Sequence, residues 1–460
     1  MLDLYEQGFL RCCKRKRGTD AYWLYMCDFF QAFPALRNSI LYQQYHPEPL
    51  RSFLVFEPVL REIFAPEFCD RIVHHYLIWR FEPLLELHLI GDTYSCRKGR
   101  GTTFGVKRLH RFIAIASDNY QIECWVLQCD LSGYFMSIDQ ELLWMDLLAF
   151  MDQFASDWPD KHLLLYLFNR FIFSPSLDRI AIRGDRKKWG ELPDNKSFFV
   201  AMGSEKPNVH LEPYTADDMK YHRGFIIGAV PSQELSNFFL NKFDHDCKHL
   251  NWNGRVLYGR YVDDFFFVSS DKEALLALRS WLEEQLTARS LTLHPDKIKL
   301  RNAKEGIPFL GAYVRGGAIL PGKRVLSRFK ALLYEIDHLP PNLTGDETIE
   351  RYAQRINSYL GLFSQFDSKS FVREQFNKHP KLRLFFKWSD CTNKVVTQRS
   401  ILLSTHKKVM KEAIHRYHLQ FQKRNAHKQF YSKAELYSLV YAEWYGTLPP
   451  VRLHGHLISI

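Results

Sequence analysis

Residues 258–270 read YGRYVDDFFFVSS, and this stretch restricts the possible folds more than any other in the chain. The aromatic and β-branched residues on either side of Val262 have the character of buried strands. Asp263 and Asp264 interrupt them. Burying one unpaired carboxylate costs several kcal/mol, and an adjacent like charge adds to that cost. A hairpin with its turn at Val262-Asp263-Asp264 resolves the conflict by standing both acids at a strand end. There a divalent cation can neutralise them. Magnesium suits the position, because it binds few protein carboxylates and keeps sites open for water and phosphate oxygens. Flanking a reacting phosphate with two ions requires a third acid. Asp130, which ends the apolar run QIECWVLQCD, is the candidate; taken singly it reads more readily as a strand-end or helix-capping aspartate than as a catalytic one.

The rest of the chain can supply such a sheet. Its 460 residues, 46% hydrophobic and 25% charged, suit about three lobes with a sizeable core. A net charge of +11 favours an acidic partner, nucleic acid before an anionic membrane surface. The nine cysteines include no Cys-x-x-Cys pair, which argues against a zinc ribbon or a disulfide framework and for a reducing cytoplasm. In MLDLYEQGFLRCCKRKRG the basic cluster follows the apolar stretch, the reverse of a secretory signal. The apolar run LLLYLFNRFIF is broken by Arg170, so no membrane span is expected.

Periodicity predicts helices through much of 20–90, with short extended pieces before Pro47 and Pro66. A strand over 121–130 leads to a helix capped by Asp139. The hairpin at 256–268 precedes a helix after Asp271, and a strand pair follows near 291–300 and 307–315. This order is α+β. After residue 321 the composition turns helical and basic. A stripe runs through Ile356, Tyr359, Phe363 and Phe366, and a helix is expected over 407–424. Lys407 and Lys411 lie on its polar side, either as a solvated face or as nucleic-acid contacts.

The ordered motifs resemble those of a reverse transcriptase over roughly residues 55–370. REIFAPEFCDRIVHHYLIWRFEPLLE and YSCRKGRGTTFGVKRL are similar to the fingers motifs. CDLSGYFMSID and YVDD resemble the palm motifs that carry the catalytic aspartates. LTLHPDKIKL and GIPFLGAYV resemble the motifs that close the palm. The resemblance implies a right-hand polymerase of fingers, antiparallel palm sheet and helical thumb. The expected divisions are 1–120 for N-terminal helices and fingers, 121–320 for the palm with a fingers-like portion near 155–225, and 321–460 for the thumb and a basic extension. It also implies a bacterial, cytoplasmic RNA-directed DNA polymerase that copies template RNA into cDNA from dNTPs. Its cofactor would be two Mg²⁺ ions, with Mn²⁺ as a substitute.

Roles carry over position by position. Asp130, Asp263 and Asp264 would hold the metals, assisted by the Leu131 carbonyl. Phe135 would be the ring that excludes a ribose 2′-hydroxyl, where the plain alternative is a core phenylalanine. Arg97 and Arg100 would meet the triphosphate, since guanidinium forks suit phosphate oxygens. Arg71 and Lys98 are weaker candidates for the same task. Lys297 would stand near the leaving pyrophosphate as a proton donor. Gly228 would let backbone approach the template–nucleotide pair.

One motif departs from the common pattern. GFIIGAVPSQELSNFF has Ile227-Gly228 followed by Ser232-Gln233, where most of the family has Gln-Gly and Ser-Pro. This form, with LPDNKSFF and INSYLGLFSQFDSKSF, resembles reverse transcriptases of diversity-generating retroelements. Those enzymes copy an RNA with errors opposite adenine, aided by a small accessory protein. Defence-associated bacterial reverse transcriptases, which copy a noncoding RNA against phage, resemble it next. An RNA-binding scaffold with lost chemistry is a further alternative, although all the candidate catalytic residues are present. A group II intron maturase is disfavoured, because His427, His454 and His456 lack cysteine partners.

Overall fold

The computed structural model describes residues 4–14, 16–56, 59–173, 180–207, 223–249, 256–339, 346–380, 382–389 and 394–397, and the short strands 451–453 and 456–458. The chain divides into two compact units, Met1–Leu320 and Pro321–Ile460. Its fold is the α+β right-hand polymerase class, with helices around an antiparallel central sheet and smaller sheets, one of them mixed. Among the described residues, ten strands lie within 51–321: β1 (Arg51–Val55), β2 (Arg61–Ala65), β3 (Trp125–Asp130), β4 (Ala181–Arg183), β5 (Leu257–Tyr261), β6 (Asp264–Ser269), β7 (Lys299–Asn302), β8 (Ile307–Phe309), β9 (Ala312–Arg315) and β10 (Ala318–Pro321).

The central sheet has the order β5-β6-β3-β7, with every pair antiparallel. Its two faces explain the apolar run. Phe265, Phe266 and Phe267 are each at most 1% exposed. Strand alternation sends Phe265 and Phe267 to one face, against Tyr258. Phe266 goes to the other face, against Tyr94, Phe112 and Phe309. A strand covered on both sides needs no polar alternation. Each such ring contributes roughly 2–3 kcal/mol of burial.

The helices that cover the sheet start where their caps lie. The Asp139 carboxylate accepts from the Leu142 N–H at 3.0 Å and opens the helix Gln140–Phe154. The Asp271 carboxylate does the same for Ala274 at 3.0 Å and opens Lys272–Thr287. Further upstream, Asp20–Cys27, Phe29–Leu41 and Phe68–His88 are helical, with the β1–β2 pair between them. The expected strand over 291–300 shortens to β7, because Pro295 cannot donate to a ladder and a 3₁₀ turn forms at Pro295–Lys297. The expected strand over 307–315 is instead a hairpin, β8 and β9, turning at Leu310-Gly311.

A second sheet, β2-β1-β4, joins the early chain to the insertion between the two aspartate motifs. Glu62 on β2 is fully buried. Its carboxylate accepts from Trp189 Nε1 at 2.6 Å and from the Phe198 N–H at 2.7 Å, holding residues 189–198 to the sheet. Burial pushes the Glu62 carboxyl up to about 7. That docking delivers Asn195 to the Ser132-Gly133 turn, where its Nδ2 donates to Ser132 Oγ at 3.2 Å.

The second unit has its own core. Helices Lys323–Asp337, Asp346–Phe363 and Lys369–Lys378 pack around Phe329, Leu333, Ile356, Leu360 and Phe363. Tyr359 and Phe366 lie at the edge of that core, partly buried. A two-stranded ribbon, Phe386–Ser389 with Lys394–Thr397, follows. The expected helix at 407–424, with Lys407 and Lys411, lies outside the described residues. Among the described residues no helix is long and apolar enough to cross a membrane.

Candidate active site

The register of the central sheet brings the acids together. β3 runs antiparallel to β6 so that Asp130 lies directly opposite Asp264. Opposed residues of this kind stand about 5 Å apart at Cβ. Asp130 raises the pKa of both Asp264 and Asp263, so the three carboxyls lie within electrostatic reach of one another. One side chain distant in sequence and the adjacent pair thus form one acidic cluster at the end of a buried sheet.

Lys297 closes the cluster on one side. Its Nζ lies 2.6 Å from Asp130 Oδ1. The backbone around it is tied to the same strand end, since the His294 N–H donates to the Asp130 carbonyl at 2.8 Å. Leu131, buried, bridges Leu293 in the same junction. A cleft of about 190 Å³ opens here, lined by Gln128, Asp130, Asp264, Lys297, Lys299 and Arg301 among others.

The electrostatics record a shortage of positive charge. Burial, followed by the charges of Asp263 and Asp130, pushes the Asp264 carboxyl up to about 7. Asp263 is also raised, by burial first and Asp130 second, against the opposing pull of Lys297 and Arg61. Among the described residues no three His, Cys, Asp or Glu side chains form a ready-made metal cage. The donor set itself is all carboxylate oxygen and over-supplied with negative charge, which fits a hard divalent cation.

The other expected residues separate into two groups. Phe135 lies in the helix Tyr134–Ser137, five residues after Asp130, half-buried, with its carbonyl accepting from the Phe225 N–H at 2.7 Å. Gly228 is exposed at φ +127°, and a Cβ there would meet the Phe64 carbonyl at 2.4 Å. The Ile227 carbonyl accepts from the Phe64 N–H at 2.7 Å, so the strap is pinned against β2. Gly228→Ala therefore meets both a forbidden φ and a backbone clash. The expected outcome is a displaced strap and a loss of incorporation of about tenfold, measured on a primed template after thermal melting has established the fold. Gln233 is exposed on the helix Val230–Phe239, and its Oε1 accepts from the Cys96 thiol at 3.4 Å.

Arg97 belongs to the second group. Its side chain is almost fully buried, with Nε and Nη2 each 2.7 Å from the Glu86 carboxylate. Its Nη1 donates to the carbonyls of Ile90 and Thr93 at 2.6 and 3.0 Å. The structure thus turns Arg97 inward to brace the 86–97 turn instead of toward a triphosphate, because the nearby carboxylate and two backbone carbonyls use all three guanidinium nitrogens. Arg100 donates to the Gly91 carbonyl and lies over the Phe104 ring, 5.4 Å from its centre. Arg71 donates from Nε to the Pro66 carbonyl at 2.8 Å, and Lys98 is exposed.

Sequence reading missed Arg61, an exposed residue of β2 whose charge acts on Asp263. An arginine opening the extended piece before Pro66 was the available signal. It also missed Arg260, although the residue stands inside the hairpin sequence: a charged residue in a buried strand demands a partner.

Residues 194–314 match the family described as "Reverse transcriptase (RNA-dependent DNA polymerase)". That segment contains Gly228, Gln233, Asp263, Asp264 and Lys297. Similar solved structures include telomerase from Candida albicans in complex with a TWJ fragment of telomeric RNA (13% identity, 88% of this chain and 63% of that one, TM-score 0.42). Another is apo telomerase from Candida tropicalis truncated from its C-terminal domain (13% identity, 62% of this chain and 58% of that one, TM-score 0.40). The aligned part spans less than two thirds of either telomerase chain. A search of the curated proteins finds no match. Reverse transcriptases bind RNA templates and use divalent metal ions. The chain carries a reverse transcriptase domain, and the enzyme class that this domain defines is RNA-directed DNA polymerase, a nucleotidyltransferase.

Proposed function

We propose that the cleft transfers deoxynucleotides to a primer end along an RNA template, with Asp130, Asp263 and Asp264 as ligands of two Mg²⁺ ions and the Leu131 carbonyl assisting. The observation that carries this reading is the register that opposes Asp130 to Asp264 beside Lys297. Bound metal would supply acidity to the primer 3′-hydroxyl and neutralise charge on the phosphates. Lys297, half-exposed, can leave Asp130 and present a proton at Nζ to the departing pyrophosphate. Arg61 and Arg100 suit the triphosphate oxygens, while Arg97 holds the turn from which Arg100 projects. Phe135 sets the sugar preference, and Gly228 and Gln233 border the template–nucleotide pair. In this reading residues 1–120 contribute N-terminal helices and fingers, 121–320 the palm and 321–460 the thumb, where Lys407 and Lys411 meet nucleic-acid phosphates.

The finer role we infer is error-prone copying, as in a diversity-generating retroelement of a bacterium, with an accessory protein as partner. Support comes from the Ile227-Gly228 and Ser232-Gln233 pairs, with Gln233 exposed beside Cys96. Extension of a primed RNA by the purified protein, followed by sequencing of the cDNA, tests both levels. Extension with errors concentrated opposite adenine is expected. Accurate cDNA copied from one copurifying noncoding RNA points to the defence role instead, and no extension at all removes the polymerase assignment.

The acidic cluster also predicts a pH signature. Asp264 titrates near 7 without metal, so at pH 8 it is ionised and at pH 6 it holds a proton. Proton and cation then compete for one site. The Mg²⁺ concentration giving half-maximal incorporation rises by up to about tenfold per pH unit below 7. A requirement that stays flat between pH 6 and 8 counts against the assignment.

A further inference from the structure

Behind the acidic tip lies a polar network that is buried throughout. Arg260 and Asp244 are both 0% exposed. Arg260 Nε and Nη2 donate to Asp244 Oδ1 and Oδ2 at 2.7 and 2.6 Å. Tyr258 and Thr93 hydroxyls donate to the same carboxylate at 2.7 and 3.0 Å. Such a fork leaves one guanidinium nitrogen free for another acceptor. That nitrogen, Nη1, donates to the Val262 carbonyl at 2.8 Å.

Val262 is the residue that needs holding. Its φ is +58°, a left-handed conformation that is a genuine outlier for a β-branched residue. Its N–H donates to Ser95 Oγ at 3.2 Å. Ser95 in turn donates to Asn237 Oδ1 at 3.0 Å, and Asn237 Nδ2 donates back to the Ser95 carbonyl at 2.9 Å. Both backbone groups of Val262 are therefore gripped, one by Arg260 and one by Ser95, from elements fixed by buried polar side chains. Strain of this kind persists only where the surroundings over-determine it. The next two residues are Asp263 and Asp264.

We infer that Arg260, anchored on Asp244, is a positioning residue that locks Val262 in its left-handed turn and so aims the Asp263 and Asp264 carboxylates. The inference rests on the metal-ligand reading only for its catalytic consequence. The lock itself is a property of the chain. Lysine at 260 can satisfy Asp244 or the Val262 carbonyl, but as a single ammonium it lacks the fork that reaches both. Glycine at 262 adopts a positive φ without strain, so it lessens the need for the lock.

The test compares wild type, Arg260→Lys, Val262→Gly and the double variant, with Ser95→Ala as a gentler break should Arg260→Lys melt. Hydrogen exchange of the Val262 amide in metal-free protein reads the turn, and single-turnover incorporation reads its consequence. Arg260→Lys is expected to exchange at least tenfold faster and to incorporate at least tenfold more slowly, with primer–template affinity unchanged. Ser95→Ala is expected to show the faster exchange too. The double variant should recover part of the incorporation rate, a rescue that general core damage would not allow. Wild-type exchange in folded Arg260→Lys or Ser95→Ala, or no rescue by glycine, overturns the inference. Faster exchange with wild-type incorporation overturns the catalytic part and leaves the lock. Absent incorporation in wild type sinks the polymerase reading, while the exchange comparison still decides the lock.

Discussion

Asp263→Asn is expected to reduce nucleotide incorporation by about a thousandfold or more, equivalent to ~4 kcal/mol of lost transition-state stabilisation. Asparagine keeps the size of the side chain and one oxygen, but it removes the charge that a hard cation requires. Primer–template affinity should stay within about twofold, because that binding is carried by contacts to the nucleic-acid backbone elsewhere. Stability should move the other way. Burial and Asp130 both raise the Asp263 carboxyl, so its ionisation opposes folding as pH climbs above the unfolded carboxylate range. Metal-free Asp263→Asn should therefore melt higher than wild type at pH 8, with the gain shrinking toward pH 4. Loss of chemistry together with a gain in stability separates a site held under electrostatic strain from a merely structural acid. An undiminished single-turnover rate removes Asp263 from the metal site.

The second large effect is expected at Phe135. The Phe135 ring is half-buried, and in the proposed reading Phe135→Ala opens space where a ribose 2′-hydroxyl would sit. Discrimination between deoxynucleotides and ribonucleotides, as a ratio of kcat/KM values, should fall about a hundredfold, or ~2.7 kcal/mol. The ring also packs against two apolar clusters. Its truncation therefore costs stability as well, about 2–3 kcal/mol for a partly buried aromatic. The two consequences separate experimentally: the melting point falls in either case, but only a gate changes the sugar preference. Lower stability with unchanged discrimination would make Phe135 a core residue.

The sequence made some features legible because they are local. The Asp139 and Asp271 caps, the turn between Tyr261 and Asp264, and the apolar run of β6 each follow from neighbouring residues and backbone geometry. The family resemblance was legible for the same reason, since its motifs are short and ordered. Arg97 and Arg61 mark the limit. Arg97 stands in a basic motif yet turns inward, because Glu86 and the carbonyls of Ile90 and Thr93 happen to surround it. Arg61 looked like an ordinary strand residue, and only the approach of β2 to the hairpin tip gives its charge a target in Asp263.

By itself the sequence determined that a paired carboxylate must emerge from a buried hairpin, since burial and like-charge repulsion admit few other arrangements. Which acid completes the cluster, and which cation guards it, was decided by strand register. A shift of one residue between β3 and β6 would turn Asp130 to the opposite face of the sheet. The tie from Arg260 to Val262 is of the same kind. It depends on Asp244, Ser95 and Asn237 converging from separate elements, and hydrogen bonds across such gaps exist only after the chain has closed.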